Sequence, residues 1–544
     1  MRFLPVNTHS LLVELADLDQ TLALLESLQR DPVAGVLELV PAARTLLVSF
    51  DPLRLSAEQA VAAMATRDVT VRVERASRLI EIPVDYEGED LAEVAQLLGV
   101  SPREVVQRHT GSEYTVAFTG FAPGFAYLTG GDPLLNVPRR KTPRTRIPAG
   151  AVGLAGTFSG VYPQASPGGW QIIGITPEAM WDIDRQPPAL LQPGDRVRFV
   201  DQCVRPARKA PAAAQASATP AAPVATASAA AAPAAAASGV EIEIVSPGLQ
   251  TLTQDLGRPG QAGQGVSASG AMDRQSLRRA NQLVGNTSDE ACLETVGGGL
   301  QLRSHGDAVV AITGADVPVT LKDDTGRTFT LACNQPLALS ASDRLTLGVP
   351  RAGARAYVAV RGGWQVAPVL GSSSTDTLAN VGPAALAAGD RLAVNPVTRG
   401  AIVQDAACGV PTLPVAGETV VLDISMGPRT DWFTADAVQT LCEQDWLVTP
   451  QSNRVGVRLS GEQSLARAVE GELPSEGTPT GAIQVPPSGQ PVLFLADHPL
   501  TGGYPVIACV APYHLDLAGQ ISVGARVRFN SIKPFAEWTA PAQA

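Results

Sequence analysis

The chain predicts an α+β protein that is mostly β: a small two-helix layer at the N-terminus, then β-barrels in both halves. Three observations predict it. Helical periodicity is confined to short stretches, whereas residues 114–200 and 240–530 consist of short apolar runs punctuated by glycine and proline. A charge-free segment rich in Ala, Pro, Ser and Thr, residues 210–238, divides the chain. Finally, elements of the first half recur in the second. At roughly 150 residues per domain, 544 residues suggest three or four domains.

Residues 1–80 show apolar runs at 11–15, 36–40, 46–50 and 69–73, with helical spacing at 18–28 and 57–64. That order reads β-α-β-β-α-β, a ferredoxin-like layer. Within 81–205 a strand is expected at 78–86 and helices at 90–98 and 102–107, the second started by Ser101 as N-cap with Pro102 at the first helical position. That helix delivers His109 to the strand at 114–118, and a compact barrel follows. Residues 206–239 form a linker, because Ala and Pro without charge bury too little apolar surface to offset ordering entropy. If flexible, it reaches ~30 Å, enough for the halves to pack side by side.

The second half divides at about residue 400 into a lobe of 240–400 and a barrel of 401–535, with a tail of 536–544. The echo supports this division. Ile147-Pro148, then Gly168-Gly169-Trp170, recurs as Val485-Pro486, then Gly502-Gly503-Tyr504, and each copy precedes a Gly-x-Arg-Val-Arg-Phe strand ending at Phe199 or Phe529. Weaker versions of that strand lie at 342–347 and 389–394.

Composition excludes several classes. A net charge of −11 argues against nucleic acid or a membrane surface as partner. No apolar run has spanning length and no leader pattern opens the chain, so a cytoplasmic protein is expected. The six cysteines are widely spaced and read as thiols, not as a zinc site or disulfide framework.

Residues 118–174 hold the densest chemistry. A Gly- and Pro-rich loop with Gly120, Phe121, Gly124, Phe125 and Tyr127 precedes five cations within eight residues: Arg139, Arg140, Lys141, Arg144 and Arg146. Pro143 and Pro148 forbid a continuous helix there, so the cations sit on extended backbone suited to an anionic ligand. Gly168-Gly169 and Gly502-Gly503 read first as tight turns with positive φ. In the second half, Asp255 and Arg258 stand in a glycine-rich loop. Asp273 begins a helix over 272–283, where capping alone accounts for a carboxylate. His109 and His498 are candidate proton shuttles, although a lone histidine is more often structural. No phosphate-binding Gly-x-x-x-x-Gly-Lys and no Met-Lys-Met biotin site occurs.

The motifs Gly120-Phe-Ala-Pro-Gly-Phe-Ala-Tyr-Leu128, Pro138-Arg-Arg-Lys-Thr-Pro-Arg144, Ile147-Pro-Ala-Gly150 and Pro167-Gly-Gly-Trp170 make the first half resemble the B subunits of 5-oxoprolinase, also known as Kip-type kinase inhibitors or allophanate hydrolase subunit 1. Asp255-Leu-Gly-Arg258, Ser269-Gly-Ala-Met-Asp273, Gly481-Ala-Ile-Gln-Val-Pro486 and Thr501-Gly-Gly-Tyr-Pro505 make the second resemble the C subunits. Both also resemble the carboxyltransferase portion of urea carboxylase. The sequence departs from these patterns at Phe158-Ser159, Ile175, Val455, Val457 and Leu500, which bear on the substrate more than on the fold.

The resemblance implies cyclophilin-like barrels and an ATP- and Mg²⁺-dependent opening of 5-oxoproline to glutamate, shared with a separate A-type subunit. On that reading the basic run, with Gly120, Phe121, Gly124, Gly168 and Gly169, holds substrate or phosphate, joined by Arg258, Gly502, Gly503 and Tyr504. His109, Lys141, Asp255, Asp273 and His498 are the catalytic candidates; no metal ligand is assigned, and a homo-oligomer stays open. Two alternatives are a biotin-dependent carboxyltransferase acting on urea or a similar amide, and a non-enzymatic regulator that binds a histidine kinase.

Overall fold

The structure, a computed structural model, describes residues 1–70, 78–140, 142, 144–202, 239–397 and 412–539. It forms two units whose membership does not follow chain order: Met1–Arg75, Phe118–Gly124 and Ala237–Ala544 in one, Ala76–Ala117 and Phe125–Ala236 in the other. The linker up to residue 238 and Lys141 lie outside the described residues.

In the first unit, strands Arg2–Asn7, Ser10–Glu14, Thr45–Phe50 and Val36–Pro41 pair in that spatial order, all antiparallel, with helices Leu18–Arg30 and Ala57–Ala65 on one face. Asp17 caps the first helix, and Ser56 with Gln59 forms a reciprocal capping box on the second. Strand Arg2–Asn7 was not expected. It occupies the edge beside Ser10–Glu14 that a closing strand at 69–73 would take; Val69 and Thr70 are irregular, and residues 71–73 are outside the described chain.

Period-two alternation explains why these strands read as unbroken apolar runs. Phe3, Leu11, Val13, Leu46 and Val48 pack under the helices. Their neighbours Leu4, Leu12 and Leu47 point to the opposite face, into a cluster with Phe494, Leu500 and Val506 of the C-terminal barrel. A sheet covered on both faces needs apolar residues at every position.

In the second unit seven strands pair in the order Gln171–Ile175, Ala151–Ala155, Phe158–Val161, Ala126–Thr129, Tyr114–Thr119, Arg196–Asp201, Leu79–Val84. Asp85 and Ile175 exchange two backbone hydrogen bonds of 2.8 Å, joining the two edges of this sheet. Helices Leu91–Leu98 and Pro102–Gly111 begin at Asp90 and Ser101. Val116, Leu128, Val152, Ile173 and Phe199 fill the interior.

The second half belongs to the first unit. Residues 240–397 build a six-stranded and a five-stranded antiparallel sheet. Helix Arg274–Val284 packs Leu277, Ala280 and Val284 against Tyr357 and Cys292 of the five-stranded sheet. A closed barrel follows: Thr419–Met426, Val506–Val510, Ala482–Gln484, Val492–Phe494, Gly456–Ser460, Trp446–Val448 and Arg526–Lys533, the last returning to the first.

The sequence echo has a structural counterpart. Arg196–Asp201 pairs parallel with Leu79–Val84, and Arg526–Lys533 pairs parallel with Thr419–Met426. In both copies the Val and Phe of Arg-Val-Arg-Phe are buried and the arginines exposed. Each Gly-Gly segment also enters a two-stranded ladder: Gly168 pairs with Arg144, Gly502 with Glu476. Among the described residues no helix is long and apolar enough to cross a membrane.

Candidate functional site

In the second unit the basic run meets an internal anion. Asp90, 2% exposed, accepts from Arg140 Nη1 at 2.6 Å, from Arg144 Nη2 and Nη1 at 2.7 and 2.8 Å, and from the Ile172 amide at 2.7 Å. Burial alone would raise its carboxyl; the bonds and charge of Arg144, with the amide and Arg140, outweigh burial and hold it below the ordinary range. Arg140 and Arg144 are therefore engaged within the fold, which corrects the expectation that all five cations serve a ligand. Arg146 is exposed and Arg139 half-buried.

The aromatic residues beside the run are core. Phe125 packs edge-on against Tyr127, Tyr162 and Trp170 at centroid distances of 5.1, 5.3 and 5.3 Å. A Cβ at Gly168 would lie 2.3 Å from the Tyr162 hydroxyl, and one at Gly502 would lie 2.5 Å from Gln484 Nε2. None of Gly168, Gly169, Gly502 and Gly503 has positive φ, so what favours glycine at Gly168 and Gly502 is crowding by the ends of neighbouring side chains, not left-handed backbone.

His109 is fully buried. Its Nδ1 is hydrogen-bonded to the Tyr86 hydroxyl at 2.6 Å and its Nε2 to Ser159 Oγ at 2.9 Å, and its ring stacks on Phe199 at 4.3 Å. Burial lowers its pKa to about 3, leaving a neutral imidazole. Both nitrogens are engaged inside the barrel, so the shuttle expected from sequence gives way to a core position.

In the first unit a buried ionic network joins the lobe to the barrel. Arg454 donates to Asp497 through Nε and Nη2, both at 2.9 Å, to Glu294 at 2.5 Å and to the Gly270 carbonyl at 2.7 Å. Burial opposes the charge on Arg454, but Asp497 and Glu294 outweigh it and keep the guanidinium protonated. Asp497 also accepts from Ser269 Oγ and from Thr377. Asp376, which accepts from Ser267 Oγ at 2.8 Å, has its pKa raised by burial and the charge of Asp497 to about 6.

Asp255 accepts from the Ser372 and Ser374 hydroxyls at 2.6 and 2.5 Å and from the Ser373 and Gly257 amides. Arg258, 2% exposed, donates to the Ser374 carbonyl, while its buried Nη1 has no partner among the described residues. Asp273 caps helix Arg274–Val284 through the Ser276 amide and also accepts from Gln520 at 2.7 Å. His498 is buried and stacks on Phe494; its Nδ1 donates to the Pro499 carbonyl at 3.0 Å, which leaves Nε2 as the lone-pair nitrogen. Burial lowers its pKa, so it is neutral near pH 7.

Sequence reasoning missed Arg454, Glu294 and Asp376. The available signal was a charged residue inside an apolar strand, Glu294 in Cys292–Val296. Surface clefts lie elsewhere: one of about 630 Å³ beside Arg103, Arg108 and Asp132, another of about 330 Å³ beside Ser464, Arg467 and Ser488. No candidate residue lines either.

Gly120, Phe121 and Gly124 fall in the first unit. Thr119 Oγ1 donates to the Gly263 carbonyl at 2.8 Å and the Gly124 amide to that of Gln264 at 3.1 Å. Phe121 has φ 67°, a costly conformation for an aromatic residue.

Comparison with known proteins matches both halves. The model of carboxyltransferase subdomains C and D matches residues 1–191, and that of subdomains A and B matches residues 264–531. The 5-oxoprolinase C subunit of Escherichia coli is 36% identical over 291 residues, 53% of this chain and 90% of its own length. The B subunit of the Bacillus subtilis enzyme is 42% identical over 188 residues, 32% of this chain and 78% of its own. Urea amidolyase of Lachancea kluyveri is 32% identical, but the match covers only 17% of that enzyme. The crystal structure of TTHA0988 superposes with a TM-score of 0.79 at 34% identity, covering 96% of this chain and 99% of that one.

Proposed function

The chain belongs to the family of 5-oxoprolinase subunits B and C, joined here in one polypeptide, and from that premise we propose that it is the fused B–C component of an ATP-dependent 5-oxoprolinase, opening 5-oxoproline to glutamate with a separate A-type subunit. One observation carries this reading: both 5-oxoprolinase subunits match, in B-then-C order, over 78% and 90% of their own lengths.

An unstrained five-membered lactam is a poor electrophile, and ATP would supply the phosphoryl group that turns its amide oxygen into a leaving group. The residues present fit the anion in kind. Arg146 is exposed on the strand that pairs with the Gly168 segment, and an Arg fork suits phosphate or carboxylate. His498, neutral with Nδ1 tied to a carbonyl, can accept a proton at Nε2. The fit to Mg²⁺ is poor: among the described residues no group of three His, Cys, Asp or Glu is placed to hold a metal, and Asp255 and Asp273 are occupied by hydroxyl and amide donors. No step through a protein-held Mg²⁺ is assigned.

A second reading, carboxyl transfer to urea or a related amide, is favoured by the carboxyltransferase family models and the urea amidolyase match. It would draw on a biotin carboxylase and a carrier from other chains. The test is ADP and glutamate production by the purified chain with ATP, Mg²⁺ and 5-oxoproline, with and without the A-type partner. Glutamate formed only with all components is the expected result; neither product in the presence of a verified A-type partner overturns the reading.

A further inference from the structure

The two barrels share a pattern of hydrogen bonds. The Asp90 amide donates to the Ile172 carbonyl and the Arg429 amide to the Val506 carbonyl, both at 2.9 Å. Each side chain then clamps the residue paired with its Gly-Gly segment, Asp90 holding Arg144 and Arg429 holding Glu476, with the charges exchanged. Farther along, the Val137 and Gly156 backbones exchange two bonds, and the Leu465 amide donates to the Gly489 carbonyl at 2.9 Å. Two residues beyond each of these contacts stands an arginine, Arg139 in the first copy and Arg467 in the second. The copies differ in the hairpin turn. Residues 156–157 close the hairpin of Ala151–Ala155 and Phe158–Val161, whereas 485–491 close that of Ala482–Gln484 and Val492–Phe494. The longer turn and the chain at 464–471 line an open cleft of about 330 Å³, at the small end of ligand pockets, which run to about 1,000 Å³.

Both walls of this cleft are fixed. The Ala466 carbonyl accepts from the Thr434 amide at 3.2 Å, and the Ala468 amide donates to the Trp432 carbonyl at 2.8 Å. Gly489 has φ 71°, and a Cβ there would lie 2.7 Å from Ser464 Cβ. Arg467 holds more donors than the fold uses. Its Nη2 donates to the Val485 carbonyl at 2.7 Å, but its Nε is buried without an acceptor among the described residues. Burial opposes its charge, and no carboxylate offsets that cost. Glu470 lines the same cleft, yet among the described residues it forms no ion pair with Arg467.

We propose that this cleft binds a free α-amino acid as its zwitterion, Arg467 taking the carboxylate and Glu470 the ammonium, with the Ser464 and Ser488 hydroxyls as further donors. A simple anion meets Glu470 as a like charge, and a simple cation meets Arg467; a molecule with both charges on one carbon satisfies the two side chains together. On the lactamase reading the product glutamate is such a molecule and the lactam is not, because its ring nitrogen carries no charge. The site itself stands without that reading.

The test is isothermal titration calorimetry of the purified full chain with L-alanine and L-glutamate, each beside its counterpart without the amino group, propionate or glutarate. At least one amino acid is expected to bind with a Kd below about 1 mM, and about tenfold or more tighter than its counterpart. Arg467→Gln should weaken that binding by about tenfold or more, the share of a charge-assisted hydrogen bond. Glu470→Gln should erase the preference for the amino acid over its counterpart. Should Arg467→Gln fail to fold through loss of its bond to Val485, Glu470→Gln, at an exposed position, decides the matter. Arg146→Ala should leave the binding unchanged, which separates this cleft from the anion role proposed for the other barrel. A Kd weaker than about 1 mM for both amino acids overturns the proposal. So does undiminished binding in folded Arg467→Gln, a preference retained in Glu470→Gln, or loss of binding in Arg146→Ala. The titration uses no ATP, partner or turnover, so its failure and that of the lactamase assay are distinguishable.

Discussion

At the scale of the residue, neighbours decide what a charged group does. Arg140, Arg144 and Arg146 look alike in sequence, yet the first two clamp Asp90 and the third is exposed. Arg144→Ala should therefore lower the stability of its unit by about 3 kcal/mol, since it strips the main cation from a buried carboxylate, and denaturant titration checks it. Arg146→Ala should leave stability within ~0.5 kcal/mol, as exposed sites usually do, and cut nucleotide turnover at least tenfold if the proposed anion role holds. His109 supplies a pH test. Its folded pKa of about 3 lies below the 6.5 of an exposed histidine, so below pH 6.5 the unfolded chain takes a proton that the folded chain refuses. Stability is fully present above pH 6.5 and falls as pH drops towards 3, by roughly 2 kcal/mol at pH 5. His109→Gln should flatten that dependence in urea titrations at pH 5 and pH 7.5.

At the scale of the element, much was legible because the signals are local. Four of the helices begin at residues whose side chains cap them, Asp17, Ser56, Ser101 and Asp273. Asp273→Ala removes the cap from Arg274–Val284 and leaves Gln520 Nε2 with the Arg355 carbonyl alone, so it should cost about 2 kcal/mol in chemical denaturation. The turn around Asp376 was not legible, because its state depends on Asp497, a residue far away in sequence. Asp376 has its folded pKa raised to about 6, so the folded chain holds a proton that the unfolded chain has lost between pH 4 and 6. Stability from this group is present at low pH and is lost as pH rises through 6. Asp376→Asn should raise the unfolding midpoint at pH 7.5 relative to wild type and abolish the difference at pH 4.

At the scale of the molecule, chain order and spatial order part company. The ferredoxin-like layer leads the sequence but packs its second face on the barrel that ends it, and the loop 118–124 follows it into the same unit. Nothing in the first 75 residues announces the destination of that second face; unbroken apolar runs announce only that there is one. The Arg-Val-Arg-Phe echo, by contrast, was readable as a recurring strand, whereas its parallel pairing with a distant strand in both copies was not.

By itself the sequence determined the fold class, the caps, the repeated closing strands and the family, all of which rest on periodicity, turn residues or motifs that span few positions. Tertiary structure alone decided which cations face solvent, that His109 is a neutral core residue, that glycine at 168 and 502 answers to crowding, and that Arg454 and Arg429 anchor buried ion networks. The physical reason is range. Hydrogen bonds within a turn or cap join residues a few positions apart, whereas burial and charge pairing depend on which distant segments the folded chain brings together.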